Sequence, residues 1–372
     1  MPGIYIHIPF CRSACHYCNF HFSTSRSGQP QLVQALCREL EMRANEINET
    51  ITSIYLGGGT PSLLSEGELQ QLFAQIREHY TVSESAEVTL EANPDDLTES
   101  YLNVLRNSPV NRLSIGVQSF FDEDLHWMNR SHSSNTAEEA IRNAQKMGFD
   151  NLTIDLMYGV PGLTHERWKA NLDKAISLQV NHLSAYCLTV EEKTALHHFV
   201  EAQKVAAPNE DQALEQFEIM LDTLSGAGFE HYEISNFAMP GRYALHNTSY
   251  WKGEAYIGIG PSAHSYNGTE RSWNIANNPL YIRAMEQGIR NMESELLTTE
   301  NRFNETVMTA LRTMWGCDLD ALQVHYPEHF ASIAMRIEKN VQAGLLLYEG
   351  KFLKLSARGK FLADGIAADL FV

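Results

Sequence analysis

Six short runs rich in branched and aromatic residues, at 4–8, 53–56, 87–91, 112–117, 151–157 and 182–190, are interleaved with stretches of helical periodicity at 30–47, 66–79, 98–106, 123–128, 136–147 and 165–178. Strand–helix alternation of this kind builds a parallel sheet through right-handed crossovers, with helices covering its faces. Six units predict an α/β fold, a partial (β/α)6 TIM-like barrel; a flat doubly wound sheet is the other arrangement open to such a chain. The polar residues fall just beyond the strands. Cys11 to Cys18 follow the first, Gly57-Gly58-Gly59-Thr60-Pro61 follows the second, Glu91 ends the third, Gln118 the fourth, and Asp155 lies late in the fifth. In parallel barrels those strand ends form the active-site face.

The segment Cys11-Arg12-Ser13-Ala14-Cys15-His16-Tyr17-Cys18 offers three thiols in a CxxxCxxC spacing and no fourth. Iron–sulfur clusters are usually held by four cysteines, so a cubane held by three keeps one iron open to an outside ligand. That suits a cluster that must bind S-adenosylmethionine (SAM) through its amine and carboxylate. Zinc is the competing reading, because His16 or His21 could complete a closed Cys3His site. Cys37, Cys187 and Cys317 stand singly and read as small buried hydrophobes.

A chain of 372 residues can bury a barrel plus an appended unit. The segment MPGIYIHIPF lacks the basic, apolar and small-residue regions of a secretory signal, and no apolar run is long enough to cross a bilayer. With scattered thiols, this predicts a cytoplasmic protein. The net charge is -18, from 28 Lys and Arg against 46 Asp and Glu, with no basic tract to offset it. Such a field repels nucleic acid, which is excluded as a partner.

The expected division is a barrel at 1–210, a connecting region at 211–295 and a C-terminal unit at 296–372. The connecting region opens on a helix at 211–227, passes through His246-Asn247-Thr248-Ser249-Tyr250-Trp251, and holds a strand entering a loop at 256–264. Helices at 302–315, 318–325 and 332–343, a hairpin turning at Glu349-Gly350-Lys351 and a last helix at 357–370 make the C-terminal unit winged-helix-like. Its acidic setting points to packing or a lid, not DNA.

Among the rim residues, a glycine run permits close backbone approach and offers N–H groups to an anion. Glu91, Gln118 and Asp155 can bond an amine or ribose, and Arg130 can face a carboxylate. Each can equally cap a turn or fill a polar mouth. His7, inside the first strand, reads as a satisfied barrel histidine. His246 is either a haem-iron ligand or a helix cap, and residue chemistry alone favours the cap.

The sequences YIHIPFC (Tyr5–Cys11), GGGTPS (Gly57–Ser62), LEANP (Leu90–Pro94), SIGVQSF (Ser114–Phe120) and IDLMYGVPG (Ile154–Gly162) together resemble the HemN/HemW group of radical-SAM proteins over nearly the whole chain. The resemblance implies a [4Fe-4S] cluster on Cys11, Cys15 and Cys18. It also implies SAM contacts at Tyr5, Tyr17, Gly58, Gly59, Thr60, Glu91, Gln118, Arg130 and Asp155.

The group has an enzyme branch, the oxygen-independent coproporphyrinogen III dehydrogenases, and a branch of HemW-type haem chaperones. Enzymes of the first branch typically carry a further cysteine two residues after the third, where this chain has Phe20, and a longer N-terminal extension. The chaperone branch shows an HNxxYW motif linked to haem binding, matched here at 246–251. That match reverses the reading of His246, which becomes the expected haem contact. The resemblance thus implies a haem carrier serving haem-requiring client proteins, respiratory ones among them. A monomer and a homodimer are both open to such a chain, as is contact with a membrane by docking onto a client. A radical-SAM enzyme acting on a tetrapyrrole is the alternative.

Overall fold

The computed structural model describes residues 2–372. Its main feature, among those residues, is a twelve-stranded sheet. The strands are β1 (Gly3–Ile8), β2 (Ile51–Gly58), β3 (Val82–Ala92), β4 (Arg112–Gln118), β5 (Leu152–Tyr158) and β6 (His182–Cys187). They are followed by β7 (Glu230–Glu233), β8 (Asn236–Ala238), β9 (Tyr256–Ile259), β10 (His264–Tyr266), β11 (Glu270–Asn274) and β12 (Met292–Leu296). The spatial order is β12-β11-β10-β9-β1-β2-β3-β4-β5-β6-β8-β7. Strands β1 to β6 run parallel, and β9 adds a seventh parallel strand on the free edge of β1. Antiparallel β10–β12 extend one side, and β8 and β7 the other.

The outer face is covered by the helices Gln29–Met42, Glu66–His79, Glu99–Arg106, Ser134–Lys146 and His165–Ser177. Their starts follow ordinary capping chemistry. Ser65 and Glu68 form a reciprocal capping box, and the Thr98, Ser133 and Thr164 side chains accept from the third helical N–H. Successive strand residues point to opposite faces. Ile4, Ile6 and Ile8 of β1, Ile54 and Leu56 of β2, and Ile154 and Leu156 of β5 are therefore buried together against those helices. Trp168, fully buried, donates from its ring N–H to the Gln216 carbonyl at 2.8 Å, tying two helices together.

The chain forms more elements after residue 190 than its periodicity suggests. Strand β6 ends at Cys187, and short helices occupy Ala195–Glu201, Leu245–Trp251 and Asn278–Glu286. Seven- and nine-residue helices are too short for a repeat to stand out. The last part is a second core, with Phe303, Val307, Leu311, Ile337, Leu353 and Ile366 packed together. It joins the helices Thr299–Leu311, Leu319–His325 and Pro327–Gln342 to β13 (Cys317–Asp318), β14 (Leu346–Glu349) and β15 (Phe352–Leu355). The helix expected from 332 begins five residues earlier, with a proline at its start, where the missing N–H costs nothing. The helix expected at 357–370 is broken into Ala357–Lys360 and Ala363–Asp369.

Candidate functional site

Residues that alternate with the buried isoleucines point into the barrel. In a filled barrel they would be branched and apolar. Here they are Tyr5 and His7 of β1, Tyr55 of β2, and Thr89 and Glu91 of β3. Strand β4 adds Arg112 and Ser114, β5 adds Thr153 and Asp155, and β6 adds His182, Ser184 and Tyr186. All of them line a cavity of about 780 Å³. A polar, half-empty interior on a close-packed frame is a binding chamber, in the size range of cofactor sites. Asn247 and Tyr250, together with Arg271 of β11 and Glu305 and Met308 of the helix Thr299–Leu311, complete its wall.

A second cavity, of about 400 Å³, opens at the C-terminal strand ends. It is lined by Cys11, Cys15, Cys18, Tyr17, Gly58, Gly59, Thr60, Gln118, Arg130, Glu91 and Asp155, among others. The cysteine loop is pinned from several sides. Cys11 N–H donates to the Ser23 carbonyl at 3.0 Å, and Ser23 N–H to Pro9 at 2.8 Å. Arg12 binds Asp96 at 2.8 and 2.5 Å, and Asn129 donates to the Ala14 carbonyl at 2.7 Å. His16 meets the Trp127 carbonyl at 3.0 Å, and His21 meets Asn278 at 2.7 Å. Both histidines are thus turned to other partners. Neither is therefore free to complete a Cys3His zinc site, and among the described residues the three cysteine side chains themselves are not drawn together as a single-ion site.

The rim suits a three-thiolate cluster with a polar cosubstrate beside it. Burial pushes the Cys18 thiol up to about 11 and raises that of Cys11, so the free thiols are protonated and a cationic iron centre would be needed to hold them as thiolates. Gln118 ends β4 with φ at 66°, a costly left-handed conformation for glutamine, and its buried Oε1 has no hydrogen-bond partner. Arg130 reaches Cys15 Sγ at 3.4 Å, Asn93 Oδ1 at 2.7 Å and the Gly116 carbonyl at 2.7 Å, leaving its buried Nε unpartnered. Orphaned buried groups of this kind await a ligand. A cluster held there by Cys11, Cys15 and Cys18 would supply an electron to SAM bound beside it.

Two half-buried carboxylates, Glu91 and Asp155, stand between the cavities and line both. Burial pushes Glu91 up to about 7, against the Tyr55 hydroxyl that donates to it at 2.7 Å and with repulsion from Asp155 adding to the rise. Burial likewise lifts Asp155 to about 6.

The glycine run plays a narrower part than its sequence suggests. Its N–H groups are already taken: Gly58 donates to Glu91 at 3.0 Å, Gly59 to the Ile8 carbonyl at 2.9 Å and Thr60 to the Phe10 carbonyl at 2.7 Å. The N–H cradle is therefore corrected to a close-approach role. A Cβ at Gly59 would lie 2.6 Å from the Ile8 carbonyl oxygen, and one at Gly58, whose φ is +101°, would lie 2.3 Å from the His7 ring. Tyr5 is set apart from the other rim candidates. It lines the larger chamber, 3.0 Å from His7 Nδ1, while His7 Nε2 meets the His21 carbonyl at 2.8 Å.

His246 lies at the opposite end of the barrel from the cysteines. Its Nδ1 is 2.9 Å from Ser53 Oγ, and its ring stacks on Tyr55 at 5.2 Å. Helix capping is not its role. Glu87 caps that helix from β3, accepting the Leu245 and His246 N–H groups at 3.0 Å each. Burial lowers the His246 imidazole to about 4, so it is neutral. Its Nε2 has no protein hydrogen bond among the described residues. In the same motif Tyr250 lines the chamber, whereas Trp251 turns away, donating to Asn247 at 3.0 Å with the Arg312 guanidinium 4.8 Å over its ring.

Sequence reasoning missed the chamber residues between rim and floor: Tyr55, Thr89, Arg112, Thr153, His182, Ser184 and Tyr186. Their signal was the strict alternation within each strand.

Three comparisons bear on this geometry. A profile of the Radical SAM superfamily matches residues 5–175. The chain is 35% identical to the heme chaperone HemW of Bacillus subtilis, covering 98% of this chain and 100% of that protein. It is 34% identical to the heme chaperone HemW of Mycobacterium tuberculosis, covering 99% and 94%. The coproporphyrinogen III oxidase HemN of Escherichia coli, a radical SAM enzyme, superimposes with a TM-score of 0.86 over 100% of this chain and 90% of that one, at 23% identity, which establishes a common fold. The chain belongs to the HemW-type family of radical-SAM proteins.

Proposed function

We propose that this radical-SAM family member is a haem carrier: it takes haem into the barrel chamber, with His246 Nε2 as an iron contact, and passes it to haem-requiring proteins, respiratory ones among them. The observation that carries this reading is the neutral imidazole of His246, held by Ser53 and stacked on Tyr55, with its second nitrogen free in the chamber wall. Neutral imidazole is a natural haem-iron ligand. The family likeness to heme chaperones supports it. Cys11, Cys15 and Cys18 would hold a [4Fe-4S] cluster at the rim. Tyr17, Gly58, Gly59, Thr60, Glu91, Gln118, Arg130 and Asp155 would surround SAM, with Tyr5 below them. The unit at 296–372 would serve as a lid, since Glu305 and Met308 already close one side of the chamber.

A cytoplasmic setting fits a chain in which no helix among the described residues is long and apolar enough to cross a membrane. Dimer formation and client contact at a membrane belong to the same reading. One observation favours the enzymatic alternative: Glu91, Ser114 and Asp155 line both cavities, so a tetrapyrrole in the chamber would lie next to the rim.

Anaerobic protein with its cluster reconstituted decides between them. Haem titration should give a saturable one-site complex, and His246→Ala should weaken it about a hundredfold while iron and sulfide content stay unchanged. Unchanged affinity removes His246 from the site. Decarboxylation of coproporphyrinogen III at an enzyme-like rate, on the order of one per second or faster, overturns the carrier reading.

A further inference from the structure

Large aromatic side chains left uncovered mark places where something else packs. Among the described residues four stand largely exposed: Phe20, Tyr186, Tyr250 and Tyr348. Three of these, all but Tyr348, line the barrel chamber. The exposure of Tyr186 is internal. Its side chain is 44% open and lines the chamber, so the open surface faces the cavity. Phe20 is 66% open and follows Cys18 by two residues.

Phe20 and Tyr186 each line both the chamber and the rim cavity. The other shared residues include Glu91, Ser114 and Asp155, all polar. The two aromatic rings are therefore the apolar part of the partition, and a flat ligand in the chamber would cover them from one side.

We propose that Phe20 and Tyr186 form a shared wall that packs against the tetrapyrrole on its chamber face and against the SAM-binding rim on the other, so that SAM tightens haem binding. The inference rests on the carrier reading above. Phe20 follows Cys18 by two residues and lines the rim cavity, so a cluster and SAM held there would border its ring. An occupied rim holds the ring in place, and haem then meets a pre-formed surface. Coupling of binding free energies is reciprocal, so haem must tighten SAM by the same factor.

The test is haem titration of the cluster-loaded full chain, with and without SAM, in wild type, Phe20→Ala, Phe20→Tyr and Tyr186→Ala. Wild type should bind haem several-fold tighter with SAM present. Phe20→Ala should lose about tenfold in affinity and lose the SAM effect, while Phe20→Tyr keeps both. Tyr186→Ala, remote in sequence from the cysteines, should reproduce the loss and serves as the deciding variant if Phe20→Ala sheds iron. A SAM effect that survives in Tyr186→Ala or in iron-replete Phe20→Ala overturns the shared wall while leaving haem carriage intact. Absence of haem binding by wild type overturns the carrier reading itself.

Discussion

At the rim of the barrel, the cysteine loop, the glycine run and Gln118 lie at or just past the strand ends, each within one continuous stretch of sequence. At the floor, His246 comes from a helix far downstream and packs against Gly3, Ser53 and Tyr55 on the first two strands, while Glu87 on the third caps its helix. A Cβ on Gly3 would lie 2.7 Å from Ser53 Oγ and 3.0 Å from His246 Nδ1, so the floor works only because the strand there has no side chain. Loops accept reactive residues without disturbing a ladder, whereas strands must make room for a visiting side chain. The rim can therefore be altered locally, and the floor cannot.

Cys15→Ala gives the largest separation between the two ends. It should abolish cluster iron and sulfide while haem titration in the absence of SAM stays within about twofold of wild type without SAM; loss of both would show that rim and floor fold as one unit. Glu87→Gln acts at the floor alone. It removes the charge that caps the His246 helix and faces Arg112 at 3.9 Å, and should lower stability by about 1–2 kcal/mol in urea unfolding, with iron content unchanged.

The smallest effect is on pH dependence. The unfolded His246 imidazole takes up a proton near 6.5 and the folded one only near 4. Between those values the unfolded chain binds more protons, so acid removes stability as pH falls through that window. Haem affinity should be nearly flat from pH 6.5 to 5.5, where a histidine titrating at its usual value would cost several-fold. A steep fall there would place His246 in contact with water.

The parallel barrel was legible because each strand and helix carries its own period, and the rim because its residues cluster after strand ends. Short pieces such as the helix Leu245–Trp251 were not, since seven residues hold no repeat. The histidine in that helix was found by its motif, yet its place at the floor depends on Ser53 and Glu87, which no local pattern connects to it. The role of the glycine run was half legible. Its lack of side chains announced close approach, but which carbonyls would take its N–H groups depended on β1 and Glu91. Trp251 shows the same limit: the ring is turned toward Arg312, a residue whose position is set by the second core.

The order of strands has a consequence for synthesis. β1 is made first, and β2 covers one of its edges early, but the other edge waits for β9 at Tyr256–Ile259. A nascent chain therefore carries an unpaired strand of alternating isoleucines until β9 has been made, the kind of edge that recruits other chains. Sealing it requires a contact between distant parts of the polypeptide, the class of pairing that carries the largest loop-closure cost.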